Sequence, residues 1–292
     1  MTVMTTNTEL RSKLGRTGIW MPPPERVGID GPGLASAIEA AGFGSLWVGG
    51  GVVGPDAFEP LAGMLTATSK LIVASGIASI WARPAPEMRA VADDLHARFD
   101  GRFILGLGVS HEPLVTGLGR TYSRPLRTMR GYLDELDDPP FPVVLAALGP
   151  KMLDLSGKRA NGAHPYFTTP EHTAAARAIL GAAPLLIPEQ AVVCSGDREQ
   201  GLAAGRAYAA RYLRLPNYVQ NLHRIGFTES DTAADGSDRL IDAIVPHGPG
   251  GVAARVKEHL EAGADHVLVQ PLDASGNFSP ACLHLLAEAL SV

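Results

Sequence analysis

Val143-Val-Leu-Ala-Ala-Leu-Gly149-Pro150-Lys151-Met152 is the stretch on which the reading of the fold turns. Apolar residues of the kind that suits a buried strand, Val143–Ala147, run into Gly-Pro, and a helical pattern opens at once. Proline at the first helical position loses nothing, because that amide has no partner inside the helix. The other first-turn amides and the Lys151 ammonium then point the same way, a combination suited to a phosphate group. The plain alternative is an ordinary strand-to-helix turn. A rival with the same amide logic but no lysine stands at His247-Gly248-Pro249-Gly250-Gly251.

Outward from this unit the pattern recurs. Strand candidates are Thr17–Met21, Ser45–Gly49, Leu71–Ile77, Phe103–Val109, Val143–Ala147, Gly162–Phe167, Ala191–Cys194 and His266–Gln270, separated by segments of helical period. Apolar strands alternating with helices predict an α/β chain with a parallel sheet, and this number of units predicts a (β/α)₈ TIM barrel. In the last crossover helix Val252, Val256 and Leu260 form one apolar stripe for packing on the barrel. Residues 198–237 are long for one crossover and are broken at Leu215-Pro216-Asn217, which predicts a helical insertion between the seventh and eighth strands. Residues 1–13 read as a flexible polar tail and 14–292 as one domain.

Composition narrows the function. Of the 292 residues 46% are hydrophobic and 19% charged, enough for a buried core. The net charge is −5 and basic residues form no run, which argues against nucleic acid as a partner. A signal peptide needs an apolar centre and a membrane helix needs about 18 continuous apolar residues; neither pattern is found, so a cytoplasmic protein is expected. Cys194 and Cys282 lack metal or redox-pair spacing and are expected as separate reduced thiols.

In a parallel barrel the chemistry belongs to the loops after the strands. The five lysines (Lys13, Lys70, Lys151, Lys158 and Lys257) avoid the positions where a Schiff base would form, and acidic residues at strand ends are sparse apart from Glu112. No metal-ligand pattern is seen. An organic cofactor is therefore expected to carry the difficult step. Of the nine histidines, His111 and His164 stand at strand ends, where an imidazole can donate to a substrate or move a proton. The others fall within helices, at strand starts or in loops.

Ile80-Trp-Ala-Arg83, Leu105-Gly-Leu-Gly-Val-Ser-His111, Ala146-Ala-Leu-Gly-Pro-Lys-Met152, Asn161-Gly-Ala-His-Pro-Tyr166 and Gly263-Ala-Asp-His-Val-Leu-Val-Gln270 occur in one order. In these segments the chain resembles the bacterial luciferase-like oxidoreductases, most closely their deazaflavin-dependent branch. That resemblance implies coenzyme F420, with FMN as the alternative, lying in the barrel mouth. Its ring would rest on Gly49, Gly76, Ile77, Ala78 and Ser79 and face Gly108, Val109 and Ser110. Its phosphate would sit at Ala147, Gly149, Pro150, Lys151 and Met152. The resemblance also implies a non-proline cis peptide in the third strand, for which Gly76-Ile77 is the first candidate and Ala78-Ser79 the second. Where some relatives carry an Asp-His pair this chain has Gly49-Gly50-Gly51, and Ser110 stands where an acid is sometimes found. The expected activity is hydride exchange between reduced deazaflavin and a small organic substrate, with His111 and then His164 as catalytic candidates. An FMN-dependent monooxygenase and a non-catalytic cofactor-binding barrel are the alternatives. The relatives further imply a homodimer.

Overall fold

The computed structural model describes residues 6–49 and 57–292. Its strands are β1 (Thr17–Met21), β2 (Ser45–Val48), β3 (Ile72–Ser75), β4 (Ala78–Ser79), β5 (Phe103–Gly108), β6 (Val143–Ala146), β7 (Gly162–His164), β8 (Leu185–Leu186), β9 (Glu189–Val193) and β10 (Val267–Leu272). The order across the sheet is β8-β7-β6-β5-β3-β2-β1-β10-β9, with β4 paired to β5. Neighbouring strands run parallel throughout. Parallel neighbours require crossovers, and helices such as Gly31–Ala40, Ala85–Arg98 and Pro150–Arg159 supply them. The α/β class with a parallel, curled sheet is as the sequence predicts.

Two breaks set the number of strands above the expected eight. The predicted strand Leu71–Ile77 divides at Gly76-Ile77, whose peptide bond is cis. The second break lies at Ile187-Pro188. On its near side Leu185 and Ile187 donate to the carbonyls of Asn161 and Ala163, and on its far side β9 pairs with β10. Pro188 has no amide to give and falls where the segment changes partners. Residues 185–193 thus touch both ends of the strand order and bring the sheet back on itself. Periodicity misses β8 because three apolar residues between prolines, Leu185, Leu186 and Ile187, carry no pattern.

Side chains from β1, β2, β3, β5, β6 and β10 fill the inside of the curl, among them Trp20, Trp47, Ile72, Ile104, Val144 and Leu268, all buried. The end at the strand N-termini is plugged by a helix, Asn7–Leu14, with Leu10 and Leu14 fully buried in the same cluster. Of the tail expected over residues 1–13, residues 1–5 lie outside the described residues and the rest is corrected: from Asn7 it is helical, begun by a Thr6/Glu9 capping box, and Leu10 and Leu14 are the reason it docks. Arg11 and Arg177 clasp Asp265 at 2.8 and 2.7 Å on the same rim.

The cysteines are the other correction. Cys194, just past β9, and Cys282, in the short helical turn Pro280–Cys282, form a disulfide across 88 residues of sequence. A pairing decided by where β9 and the C-terminal segment meet leaves no trace in residue spacing. Between β9 and β10 lie helices Arg198–Ala209, Pro216–Arg224, Asp238–Ile244 and Gly248–Glu261. The first three share a second core of Leu202, Tyr208, Tyr218, Leu222, Leu240 and Ile241 with Phe167 and Leu272. Among the described residues no helix is long and apolar enough to cross a membrane.

Candidate active site

The C-terminal strand ends form a floor of glycines packed against tryptophan. A methyl group on Gly49 would fall 1.8 Å from the Trp20 ring, and one on Gly76 would sit 3.0 Å from Trp20 Nε1. The Trp20 indole donates to the Gly76 carbonyl at 2.9 Å, which ties β1 to the cis bend. One residue on, Ile77 folds over Gly108, where a Cβ would meet its Cδ1 at 2.4 Å. Ala78 and Ser79 lie buried in β4 against β5. Around the cis bend the glycines are thus covered by neighbouring side chains, Trp20 over Gly49 and Gly76 and Ile77 over Gly108, and a larger residue at any of them would collide.

Around that floor stand the other predicted residues. Val109, Ser110 and His111 are partly exposed, and Ser110 holds a left-handed φ of 58° that turns the chain out of β5. The His111 ring lies 5.5 Å from that of Tyr218 and is hydrogen-bonded by Asn217, both from the helix Pro216–Arg224. Burial lowers its pKa, against the pull of the Asn217 bond, which favours the neutral imidazole.

His164 is placed differently. It is 2% exposed, inside the curl, with Nδ1 2.7 Å from the Ile187 carbonyl and its ring 5.1 Å from Trp47. Among the described residues Nε2 has no hydrogen-bond partner. Burial pulls its pKa to about 4, the Ile187 carbonyl opposing. His164 thus lies beneath the floor rather than on the rim beside His111.

At the rim, Pro150 opens the helix Pro150–Arg159 and Gly149 is its N-cap, with no side chain capping the first turn. Lys151 is exposed beside it, while Ala147 and Met152 pack into the wall. Among the described residues the space in front of Gly149 is open: a methyl group there would meet only Arg224 Nη1, at 3.8 Å. Arg224 is a residue that sequence reading misses, because it arrives from the end of a helix 75 positions away in the chain. Below this turn His172 Nε2 lies 2.9 Å from the Leu148 carbonyl. The rival turn sits elsewhere: Gly248 packs on Ser195–Gly196 past the end of β9.

Sequence reading also passes over a buried polar cluster in the mouth. Tyr166, two residues beyond β7, places its hydroxyl 2.8 Å from Gln270 Oε1, 2.7 Å from the Tyr212 hydroxyl and 3.1 Å from that of Tyr208. Tyr208 in turn lies 3.2 Å from Glu189 Oε1, and the Phe167 amide donates to Glu189 Oε2 at 3.1 Å. Glu189 is 1% exposed, and burial raises its pKa to about 8 against those two bonds. The one available clue was Tyr208 and Tyr212 at i and i+4 on one helical face.

A parallel, curled α/β sheet with an anion-ready helix start at one end defines a TIM-barrel-like architecture. The family model described as luciferase-like monooxygenase matches residues 30–138, and the resemblance read from the sequence is borne out. A Mycobacterium tuberculosis protein, provisionally named a coenzyme F420-dependent oxidoreductase, is 32% identical over 128 residues, which cover 43% of this chain. The match spans 36% of that relative's length. Among solved structures, the coenzyme F420-dependent tetrahydromethanopterin reductase of Methanopyrus kandleri superposes with a TM-score of 0.71 at 15% identity, covering 95% of this chain and 99% of that one. The FMN complex of the oxygenating constituent of 3,6-diketocamphane monooxygenase, from Pseudomonas putida, gives 0.70 at 14% identity, covering 94% and 97%. At such identities the two structures share the fold.

Proposed function

We propose that this chain is a luciferase-like oxidoreductase in which reduced coenzyme F420 gives hydride to a small organic substrate. The observation that carries the reading is the open turn at Gly149. It has an uncapped helix start, Lys151 beside it and Arg224 facing it, on the rim of the glycine floor. The floor suits a flat ring and the rim suits a phosphate. The name of the mycobacterial relative supports the same cofactor.

When bound, the deazaflavin would supply hydride chemistry that no side chain here offers. Gly49, Gly76, Ile77, Ala78 and Ser79 would support its ring, with Gly108, Val109 and Ser110 on the facing wall. Gly149, Pro150, Lys151 and Met152, with Ala147 behind them, would hold the phosphate, joined by Arg224. A neutral His111 would accept from or donate to the substrate at the rim. His164, beneath the floor with one free nitrogen, is the second such candidate. The helices between β9 and β10 cover the mouth in this reading, as an insertion would. A homodimer in the cytoplasm belongs to the same reading.

The FMN-dependent monooxygenase is kept as the second reading because a neighbour of comparable fit holds FMN. Fluorescence titration with coenzyme F420 and with FMN, then anaerobic turnover of reduced F420 against oxygen uptake with reduced FMN, decides between them. Tight F420 binding with anaerobic turnover is the expected result; binding of neither cofactor overturns both readings.

A further inference from the structure

The hydroxyl of Tyr208 lies within hydrogen-bond reach of two acceptors, Tyr166 Oη and Glu189 Oε1, and owns a single hydrogen. With Glu189 ionised, Tyr208 must serve the carboxylate and leave Tyr166 without its donation. With Glu189 protonated, every bond falls in one direction: the carboxyl donates to Tyr208, Tyr208 to Tyr166, and Tyr166 to Gln270 Oε1 or outward. Burial favours this neutral arrangement, raising Glu189 to about 8 and holding both tyrosines well above their usual range.

Direction along a chain of hydroxyls matters because of where it ends. The Tyr166 ring is partly exposed and lies 5.0 Å from Trp20, whose indole holds the Gly76 carbonyl. On its other side Tyr218 stands 6.4 Å away, between Tyr166 and His111. Tyr166 is therefore the partly exposed end of the line, packed on the tryptophan that holds the Gly76 carbonyl, while Glu189 is buried behind it. The groups that face Glu189 are the Phe167 amide, three residues beyond β7, and the hydroxyl of Tyr208 from the helix Arg198–Ala209. The Tyr212 and Tyr218 hydroxyls complete the cluster, and Arg211 acts on Tyr212.

We propose that Glu189, Tyr208 and Tyr166 form a proton line into the active site, with Tyr166 as the catalytic acid and the other two as its positioning and recharging residues. This rests on the hydride-transfer reading above. The substrate class it implies is an electron-poor double bond to oxygen or nitrogen. The carbon gains a hydride and its electron pair from the reduced deazaflavin, which is oxidised, and the π pair moves to the heteroatom. That atom bonds the Tyr166 proton as the phenolic O–H breaks. Tyr166 takes the Tyr208 proton, Tyr208 takes that of Glu189, and after product leaves a proton from water returns to the carboxylate along the same hydroxyls, entering at Tyr166. The net uptake is one hydride and one proton. A phenol kept protonated by burial gives its proton only to a strong base, which the newly formed alkoxide or amide anion is.

Tyr166→Phe, Tyr208→Phe and Glu189→Gln test the line, each keeping shape. In cofactor-free protein the infrared band of a buried, protonated carboxyl is expected at neutral pH, fading near pH 8, shifted by Tyr208→Phe and removed by Glu189→Gln. In single-turnover reduction of a ketone or imine panel by reduced F420, Tyr166→Phe is expected to slow the chemical step by about 10²-fold or more. The F420 dissociation constant should stay within about twofold of wild type. Glu189→Gln is expected to flatten the alkaline limb of the rate profile and reduce the solvent isotope effect. Wild-type rates in Tyr166→Phe, or a wild-type protein without the carboxyl band, would overturn the proton line while normal F420 binding leaves the functional reading intact. Absence of F420 binding in the wild type would overturn that reading and the line with it.

Discussion

The two ends of the curled sheet are built from the same strands and solve opposite problems. At the strand N-termini the helix Asn7–Leu14 drives Leu10 and Leu14 into the interior, and charge is kept to the rim, where Asp265 meets Arg11 and Arg177. At the C-termini the interior admits a carboxyl, tyrosine hydroxyls and a histidine, and helices that share a core of their own pack against Phe167 and Leu272. A sealed end needs apolar volume. An end meant to open needs flat backbone and polar groups that a ligand can reach, at some cost in stability.

Breaking the covalent tie of the mouth should have the largest effect. Reduction of Cys194–Cys282, or Cys282→Ala, frees a loop of 88 residues in the unfolded chain, worth about 4.6 kcal/mol by chain entropy. Denaturant titration with and without reductant measures it, and a change below about 1 kcal/mol would show that the bridge does not restrain the mouth. Next, Leu14→Ala empties a fully buried position at the sealed end and is expected to cost about 2–5 kcal/mol. F420 affinity at a temperature where the variant is folded should not move. Loss of affinity would erase the contrast between the ends.

Glu189 sharpens the comparison through pH. Its pKa of about 8 in the fold lies above the ordinary carboxyl value, so between roughly pH 4.5 and 8 the native state holds a proton that the unfolded chain has released. Its contribution is full below the unfolded value and is lost as pH rises toward 8, at no more than about 1.4 kcal/mol per pH step. Stability curves of wild type and Glu189→Gln at pH 5, 6.5 and 8 should therefore diverge, the variant lacking this loss. Parallel curves would mean that Glu189 is ionised in the fold.

Smaller effects are expected at the rims. Arg224→Ala and Lys151→Ala should each weaken F420 binding about tenfold without lowering thermal stability, as the loss of one charge-assisted contact would. Asp265→Asn, at the opposite rim, should cost about 1 kcal/mol of stability because its partners stay partly solvated, and should leave binding unchanged.

The sequence by itself determined what local physics can determine. Alternating apolar strands and helical segments specify a parallel α/β sheet, and Gly149-Pro150 specifies a helix start with amides to spare. The cis position at Gly76-Ile77 was legible only through likeness to other chains, since no propensity marks it. Tertiary structure decided the rest. Leu10 and Leu14 became a plug because the sheet curls around a space they fit, and Cys194 met Cys282 because β9 ends beside the C-terminal segment. Glu189, Tyr208 and Arg224 reached the mouth from the chain's second half. Sequence spacing reports neighbours along one helix or strand, whereas a barrel mouth gathers one residue from each of many elements, and only the closing of the sheet makes them neighbours.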